Sequence, residues 1–279
     1  MNKQLSVIIA WRNRDELRQT LMHNTRAFQA CASEALVINA GGDSGRLKEL
    51  LYGVDFEVRQ IDIPHSTFNK SLCLNLGAFC SSPDSDLIFF LDADILLEQS
   101  ALSDCLDSLV ENSFVVLSQV EEISLRTKPN NEGPYLSKSI QTTEIICADG
   151  RTARINNQTW FYGARTGMGL ILVPKRAFVE INGANADLTG WGFEDTDIQI
   201  RLQLALGMQS VLAGKAVHLT HSDKVRDLGG AVPEAGYGFG KNIALWKNEA
   251  ISYRNYMQGN FLGTYRRDVT KWEKTLVET

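Results

Sequence analysis

No apolar run in this chain of 279 residues approaches the ~20 residues that a membrane-spanning helix needs. The first run, Leu5 to Ala10, is too short to span, and no signal-peptide cleavage pattern follows it. Cysteine is sparse. Cys31, Cys73, Cys80, Cys105 and Cys147 form no Cys-x-x-Cys pair, which argues against a disulfide framework or a cysteine zinc site and for free buried thiols in a reducing compartment. Basic charge is not in excess, since the net charge is −5, so no nucleic-acid partner is expected. Internal repeats and low-complexity tracts are absent. The loop after the second expected strand, Asn39 to Asp43, is glycine-rich but lacks Gly-x-Gly-x-x-Gly, so it is not the dinucleotide fingerprint. What is present, 44% hydrophobic and 22% charged residues, suffices for a sizeable globular core.

Apolar runs at Leu5–Ala10, Ala35–Ile38 and Leu87–Leu91, with a short strand expected near Phe56–Ile61, alternate with helices expected at Glu16–Cys31, Gly45–Leu51 and Lys70–Cys80. That alternation predicts an α/β fold with a mostly parallel sheet flanked by helices. Asp15 is placed to cap the first helix. Ser100–Val110 reads as a helix and Phe114–Gln119 as a strand. Glu121–Tyr162 breaks the rhythm and is expected to be an irregular, partly mobile, substrate-recognising insertion. Gly167–Val173 is expected to be a strand, Asp195–Leu206 a helix, and Val211–Ala213 and Ala216–Leu219 short strand pieces. Five glycines between Asp227 and Lys241 suggest a lid. The aromatic tail from Asn242 to Thr279 is expected to form docked helices.

The strand Leu87–Leu91 delivers Asp92 and Asp94 at its C-terminal end, the edge where open α/β sheets bind ligands. Two acids so close need a cation or hydrogen bonds. An acidic strand end also fits a simple turn into solvent. Arg12 and Arg14 follow the first strand and suit a phosphate or nucleotide, or a solvated turn. Glu194, Asp195 and Asp197 open a helix, where its dipole stabilises acids. Trp191 between Gly190 and Gly192 resembles a stacking platform for a sugar. His218 and His221, half of the four histidines, sit three apart, a spacing from which both can reach one ion, while a lone histidine is more often structural.

In order along the chain come Trp11-Arg12-Asn13-Arg14, Phe68-Asn69-Lys70, Leu74-Asn75-x-Gly77, Asp92-Ala93-Asp94, Ile181-Asn182-Gly183, Gly190-Trp191-Gly192-Phe193-Glu194-Asp195 and His221. Together they resemble the nucleotide-sugar glycosyltransferases of the GT-A fold, a Rossmann-like α/β architecture. The likeness is to the beta-4-galactosyltransferase group and to bacterial chondroitin and polysaccharide transferases of family 2. It covers about Leu5 to Asp223, and the Trp-Gly-x-Glu-Asp segment is its most specific part.

The resemblance implies a metal-dependent, inverting transfer from a UDP-sugar, of galactose or N-acetylhexosamine type, to a hydroxyl of a glycan or glycolipid acceptor. It implies Mn2+ or Mg2+ on Asp94 and His221, with Asp92 on the nucleotide or a metal water and His218 in a methionine ligand's place. It puts Arg12, Arg14, Phe68, Lys70, Asp92 and Trp191 at the nucleotide-sugar site, and Asp43 where related enzymes hold the base. Asp195 matches the catalytic base and Glu194 an acceptor-orienting residue. Lys70 replaces the usual arginine, and Phe193 a usual glycine. The implied organisation is a transferase domain at 1–241, with a donor half at 1–100, an acceptor half at 101–241 and a lid at 227–241. A helical extension follows at 242–279. The animal enzymes carry a membrane anchor and this chain shows none, so a cytoplasmic enzyme of a surface-glycan pathway is expected, with room for peripheral membrane association. The rival readings are a sugar-nucleotide nucleotidyltransferase and an inactive carbohydrate-binding homologue.

Overall fold

The computed structural model describes residues 4–64, 67–123, 138–160, 163–190, 192–219 and 237–277. The first half alternates as the apolar periodicity requires. It runs β1 (Gln4–Trp11), α1 (Glu16–Cys31), β2 (Glu34–Ala40), α2 (Ser44–Leu51), β3 (Val58–Ile63), α3 (Lys70–Cys80) and β4 (Ser85–Asp92). Then follow β5 (Ile95–Leu97), α4 (Ala101–Ser108), β6 (Ser113–Glu122), β7 (Lys138–Ile146), β8 (Thr152–Trp160) and β9 (Arg165–Pro174). The chain continues through α5 (Lys175–Glu180), α6 (Glu194–Leu206), β10 (Gln209–His218), α7 (Tyr237–Met257) and α8 (Tyr265–Val277). No helix among the described residues is long and apolar enough to cross a membrane.

The strands form one sheet in the order β3-β2-β1-β4-β9-β6-β10-β5, with β7 and β8 as a hairpin attached to β9. β3, β2, β1 and β4 are mutually parallel, and β6 is parallel to β10. β9 runs against both β4 and β6, and β5 runs against β10. The sheet is therefore mixed beyond its parallel first half. Leu17, Leu21 and Phe28 of α1, Leu47 of α2 and Leu102 of α4 pack one face. Leu72 and Leu76 of α3, Phe178 of α5, Ile198 and Leu202 of α6 and Val269 of α8 pack the other. A smaller cluster joins Ala153 and Ile155 of β8 to Ile200 and Leu204 of α6 and Tyr256 of α7.

Four local features differ from the sequence reading. Asp15 does not cap α1; its carboxylate lies 3.0 Å from Arg46 Nε, while Asn69 and Asp43 cap α3 and α2 by accepting from Leu72 N and Arg46 N. β10 is one strand instead of two pieces, because Gly214 takes φ +70 and bends it without ending it; a Cβ there would meet Ala101 O at 2.8 Å. The stretch after β6 contains the regular β7–β8 hairpin, whose register pairs Lys138 with Trp160 through Ile146 with Thr152. Tyr237–Lys241, expected to end a lid, are the first residues of α7; the rest of the expected lid lies outside the described residues.

The C-terminal helices are tied to two of the quoted motifs. Asn75 Nδ2 donates to Asp268 Oδ2 of α8 at 2.8 Å and to Ala184 O at 2.9 Å. Asn182 O accepts from Tyr265 N at 2.7 Å, and its Oδ1 from Arg266 N at 2.9 Å.

Candidate active site

The C-terminal edge of the parallel strands gathers the charged residues. Trp11 ends β1 fully buried, and its indole donates to Arg14 O at 2.8 Å, which folds the Arg12–Arg14 turn back on the strand. Asn13 sits in the left-handed region at φ 51, and its side chain accepts from Asp43 N at 2.8 Å. That bond places the α2 N-terminus beside the turn. Asp43 itself is occupied as the α2 cap. Arg12 Nε and Nη1 are buried without a hydrogen-bond partner in the structure. A buried guanidinium with open donors is costly alone and suited to an anionic or carbonyl-rich ligand. Phe68 is half-buried against the α3 side of the core, two residues before Lys70.

Two charge clusters meet across Asp92-Ala93-Asp94. In the first, Lys70 Nζ lies 2.8 Å from Asp92 Oδ1 and 3.0 Å from Asp195 Oδ1. The loop preceding α6 makes this approach possible. Gly190 and Gly192 take φ 81 and 96, and Phe193 takes φ 73. A bulky residue at positive φ stores strain on the order of 1–3 kcal/mol. Its ring packs edge-on against Tyr253 of α7, with centroids 5.6 Å apart. Gly169 of β9 leaves the space for the pair, because a Cβ there would lie 2.4 Å from Asp195 Oδ2 and 2.8 Å from Lys70 Nζ. Asp197 stands apart, held by Arg201 Nε at 2.8 Å and Tyr256 OH at 2.5 Å. It is the structural member of the acidic trio.

One ammonium serves three carboxylates here. Burial opposes the charge of Lys70, but Asp195, Asp92 and Glu194 outweigh it and raise its pKa above the ordinary value. Burial and then Asp195 push the Glu194 carboxyl up to about 7. Burial also raises Asp195, with Lys70 opposing and Asp92 reinforcing the shift. Glu194 Oε2 and Asp195 Oδ1 are buried and accept no hydrogen bond, although Asp195 Oδ1 keeps its ionic contact with Lys70. Such a cluster can take up a proton near neutral pH.

In the second cluster Asp94 Oδ2 accepts from Arg14 Nη2 at 2.5 Å and lies 3.5 Å from His218 Nε2. His218 Nδ1 lies 2.7 Å from Glu122 Oε2. Burial works against a charged His218, yet Asp94 and Glu122 raise its pKa overall. The β5–β10 pairing builds this cluster by setting His218 opposite Ile95, and Leu219 N closes it by donating to Asp94 O at 2.8 Å. Carboxylate and imidazole oxygen and nitrogen donors, with a second carboxylate fixing the far ring nitrogen, fit a divalent cation of the Mn2+ or Mg2+ kind. Among the described residues no group of three or more His, Cys, Asp and Glu is disposed to hold one ion. Asp94 and His218 supply two such donors, 3.5 Å apart at their nearest atoms.

The structure therefore brings Arg14, Lys70, Asp92, Asp94, His218, Glu194 and Asp195 to one place and sets Asp43 beside the Arg12–Arg14 turn. Trp191 and His221 lie outside the described residues. Glu122 and Gly169 were missed. Glu122 is 96 residues from its histidine and carries no local signal. Gly169 is visible only as one glycine of a glycine-rich strand.

A mixed α/β sheet with acidic residues at the β4 edge and at the α6 start defines a GT-A transferase architecture. The family model described as "Glycosyltransferase like family 2" matches residues 6–258. The chain belongs to that family of glycosyltransferases. No curated protein matches its sequence. Among solved structures, it resembles GalNAc-T7 with UDP, GalNAc and Mn2+ at 13% identity and TM-score 0.58, over 91% of this chain and 50% of that one. It also resembles a Drosophila beta-1,4-galactosyltransferase 7 mutant in complex with manganese, UDP-Gal and xylobiose, at 16% identity and TM-score 0.49, over 80% of this chain and 73% of that one. A 4-diphosphocytidyl-2C-methyl-D-erythritol synthase from Anaerococcus prevotii matches at 13% identity and TM-score 0.49, over 82% and 96%.

Proposed function

We propose that this family 2 glycosyltransferase moves a sugar from a UDP-sugar, of galactose or N-acetylhexosamine type, to a hydroxyl of a glycan or glycolipid acceptor with inversion. The observation that carries this reading is Lys70, whose Nζ lies 2.8 Å from Asp92 and 3.0 Å from Asp195. One side chain thereby joins Asp92 at the β4 edge to a carboxylate suited to act as base. The unpartnered donors of Arg12 support an anionic, carbonyl-bearing donor next to them. The GalNAc-T7 structure, which contains UDP and Mn2+, supports the donor class and the metal by analogy of fold.

In this reading Asp94 and His218 hold Mn2+ or Mg2+, together with His221 and Asp92. The ion, when bound, supplies neutralisation of the charge that develops on the leaving diphosphate. Arg12, Arg14, Asp43 and Phe68 line the nucleotide, and Trp191 stacks on a sugar ring. Lys70 keeps Asp195 oriented towards the acceptor. Asp195 takes the proton from the acceptor hydroxyl while that oxygen attacks the anomeric carbon. The bond from that carbon to the diphosphate oxygen breaks, and UDP leaves with the electron pair. A single displacement inverts the anomeric centre, and the base contributes ~10²–10⁴-fold. Glu194 orients the acceptor.

The test is a panel of UDP-sugars with Mn2+ and glycan acceptors, read as UDP release and glycoside formation. UDP release that depends on Mn2+ is expected. Pyrophosphate release from UTP and a sugar 1-phosphate, with no UDP release from any UDP-sugar, would replace this reading by a nucleotidyltransferase.

A further inference from the structure

Helix α7 contributes Asn248 to the loop that opens α6, and nothing in the site so far accounts for it. Asn248 is 1% exposed. Its Oδ1 accepts from Thr189 N at 3.1 Å, and its Nδ2 donates to Gly192 O at 2.8 Å. One amide thus bridges the two backbone groups that bracket Gly190 and Trp191. The bond directions leave no ambiguity in its orientation, because an N–H needs the amide oxygen and a carbonyl needs the amide nitrogen. Leu245, one turn earlier, lies where a Cβ on Gly192 would meet its Cδ1 at 3.0 Å. Tyr253 packs on Phe193, and Tyr256 OH reaches Asp197. Four side chains of α7, from Leu245, Asn248, Tyr253 and Tyr256, therefore hold Thr189, Gly192, Phe193 and Asp197, in a stretch where Gly190, Gly192 and Phe193 take positive φ. Left alone, such a segment relaxes to other conformations.

We infer that Asn248 is a positioning residue for the acceptor. It fixes the loop that opens α6 and sets the first turn of that helix, so that Glu194 and Asp195 keep their place in the site. The inference rests on the glycosyltransferase reading for its functional half. Its structural half, the grip on the loop, stands on the hydrogen bonds alone.

The experiment compares wild type with Asn248→Ala in two measurements. The first is amide hydrogen exchange. The Thr189 amide should exchange about tenfold faster or more in the variant, with β1 and β4 amides unchanged. The second is transfer kinetics with UDP-sugar and a glycan acceptor. The acceptor KM should rise about tenfold or more, while the donor KM and UDP affinity stay within about twofold. A merely structural loss would move donor and acceptor alike. Tyr253→Leu, which removes the edge contacts with Phe193 and Tyr256 and the hydrogen bond with Glu249 but leaves Asn248 in place, should give the same acceptor-selective change at smaller size, and it decides the matter if Asn248→Ala does not fold. Unchanged Thr189 exchange overturns the grip. Faster exchange with an unchanged acceptor KM overturns the positioning role and leaves the transferase reading intact. A wild-type protein that neither hydrolyses nor transfers any UDP-sugar overturns the transferase reading and the positioning role with it, while the exchange result still judges the grip.

Discussion

Lys70→Met removes the cation that three carboxylates share. The Lys70 side chain is 14% exposed, that of Asp195 22% and that of Asp92 40%. The Asp92 contact is therefore largely screened by solvent. The Asp195 contact is not, and deleting one partner of a buried pair costs about 3 kcal/mol at the lower end of the usual range. The loss must depend on pH. Glu194 and Asp195 already have folded pKa values above their ordinary ones. A group raised in this way contributes stability that is full below its unfolded pKa and is lost as pH rises through its folded pKa. Without Lys70 both values rise further, so the orphaned carboxyls take up protons at low pH. The cost should fall to about 1 kcal/mol at pH 5 and reach its full value at pH 8. Urea unfolding of wild type and variant at pH 5, 6.5 and 8 measures this directly. A destabilisation that is absent, equal at all three values or larger at pH 5 would refute the shared-cation arrangement. Lys70→Arg keeps the charge and should recover most of the stability at pH 8.

Asp195→Asn should cut transfer at least about a hundredfold while UDP affinity in Mn2+ stays within about threefold; steady-state kinetics and titration calorimetry check it, and retained turnover with loss in Glu194→Gln would move the base to Glu194. Glu194→Gln should flatten the fall in wild-type stability expected between pH 4.5 and about 7, and an unchanged slope in denaturant titrations would contradict the raised carboxyl. Asp94→Ala should abolish Mn2+-dependent UDP binding, and full activity of that variant with a chelator present would remove Asp94 from the metal site.

The parallel half of the sheet was legible because β2 and β4 carry unbroken apolar runs and β1 a run interrupted only by Ser6, each followed by polar residues at the same edge. The reversal at β9 was not. Gly167–Val173 has the same composition whichever way the strand runs, and its partners β4 and β6 are set by tertiary packing. The β7–β8 hairpin was invisible because Thr142 and Asn156 pair across two largely polar strands, in which only Ala153 and Ile155 of β8 alternate as buried apolar positions. Within the site, neighbours in sequence were readable: Asp92 with Asp94, Glu194 with Asp195. The Lys70–Asp195 pair spans 125 residues. Its two motifs were seen, but not that they touch. Asn248 lay beyond every motif, and only the fold brings it to Thr189.

The most direct test is the anomeric configuration of the first product formed from an α-linked UDP-sugar of the galactose or N-acetylhexosamine type. Time-resolved proton NMR in Mn2+, with acceptor or with water as the slow acceptor, reads it before mutarotation. A β anomer formed first by wild type and lost in Asp195→Asn is the predicted result. An α anomer formed first would contradict the single displacement on which the proposed roles of Asp195 and Lys70 depend.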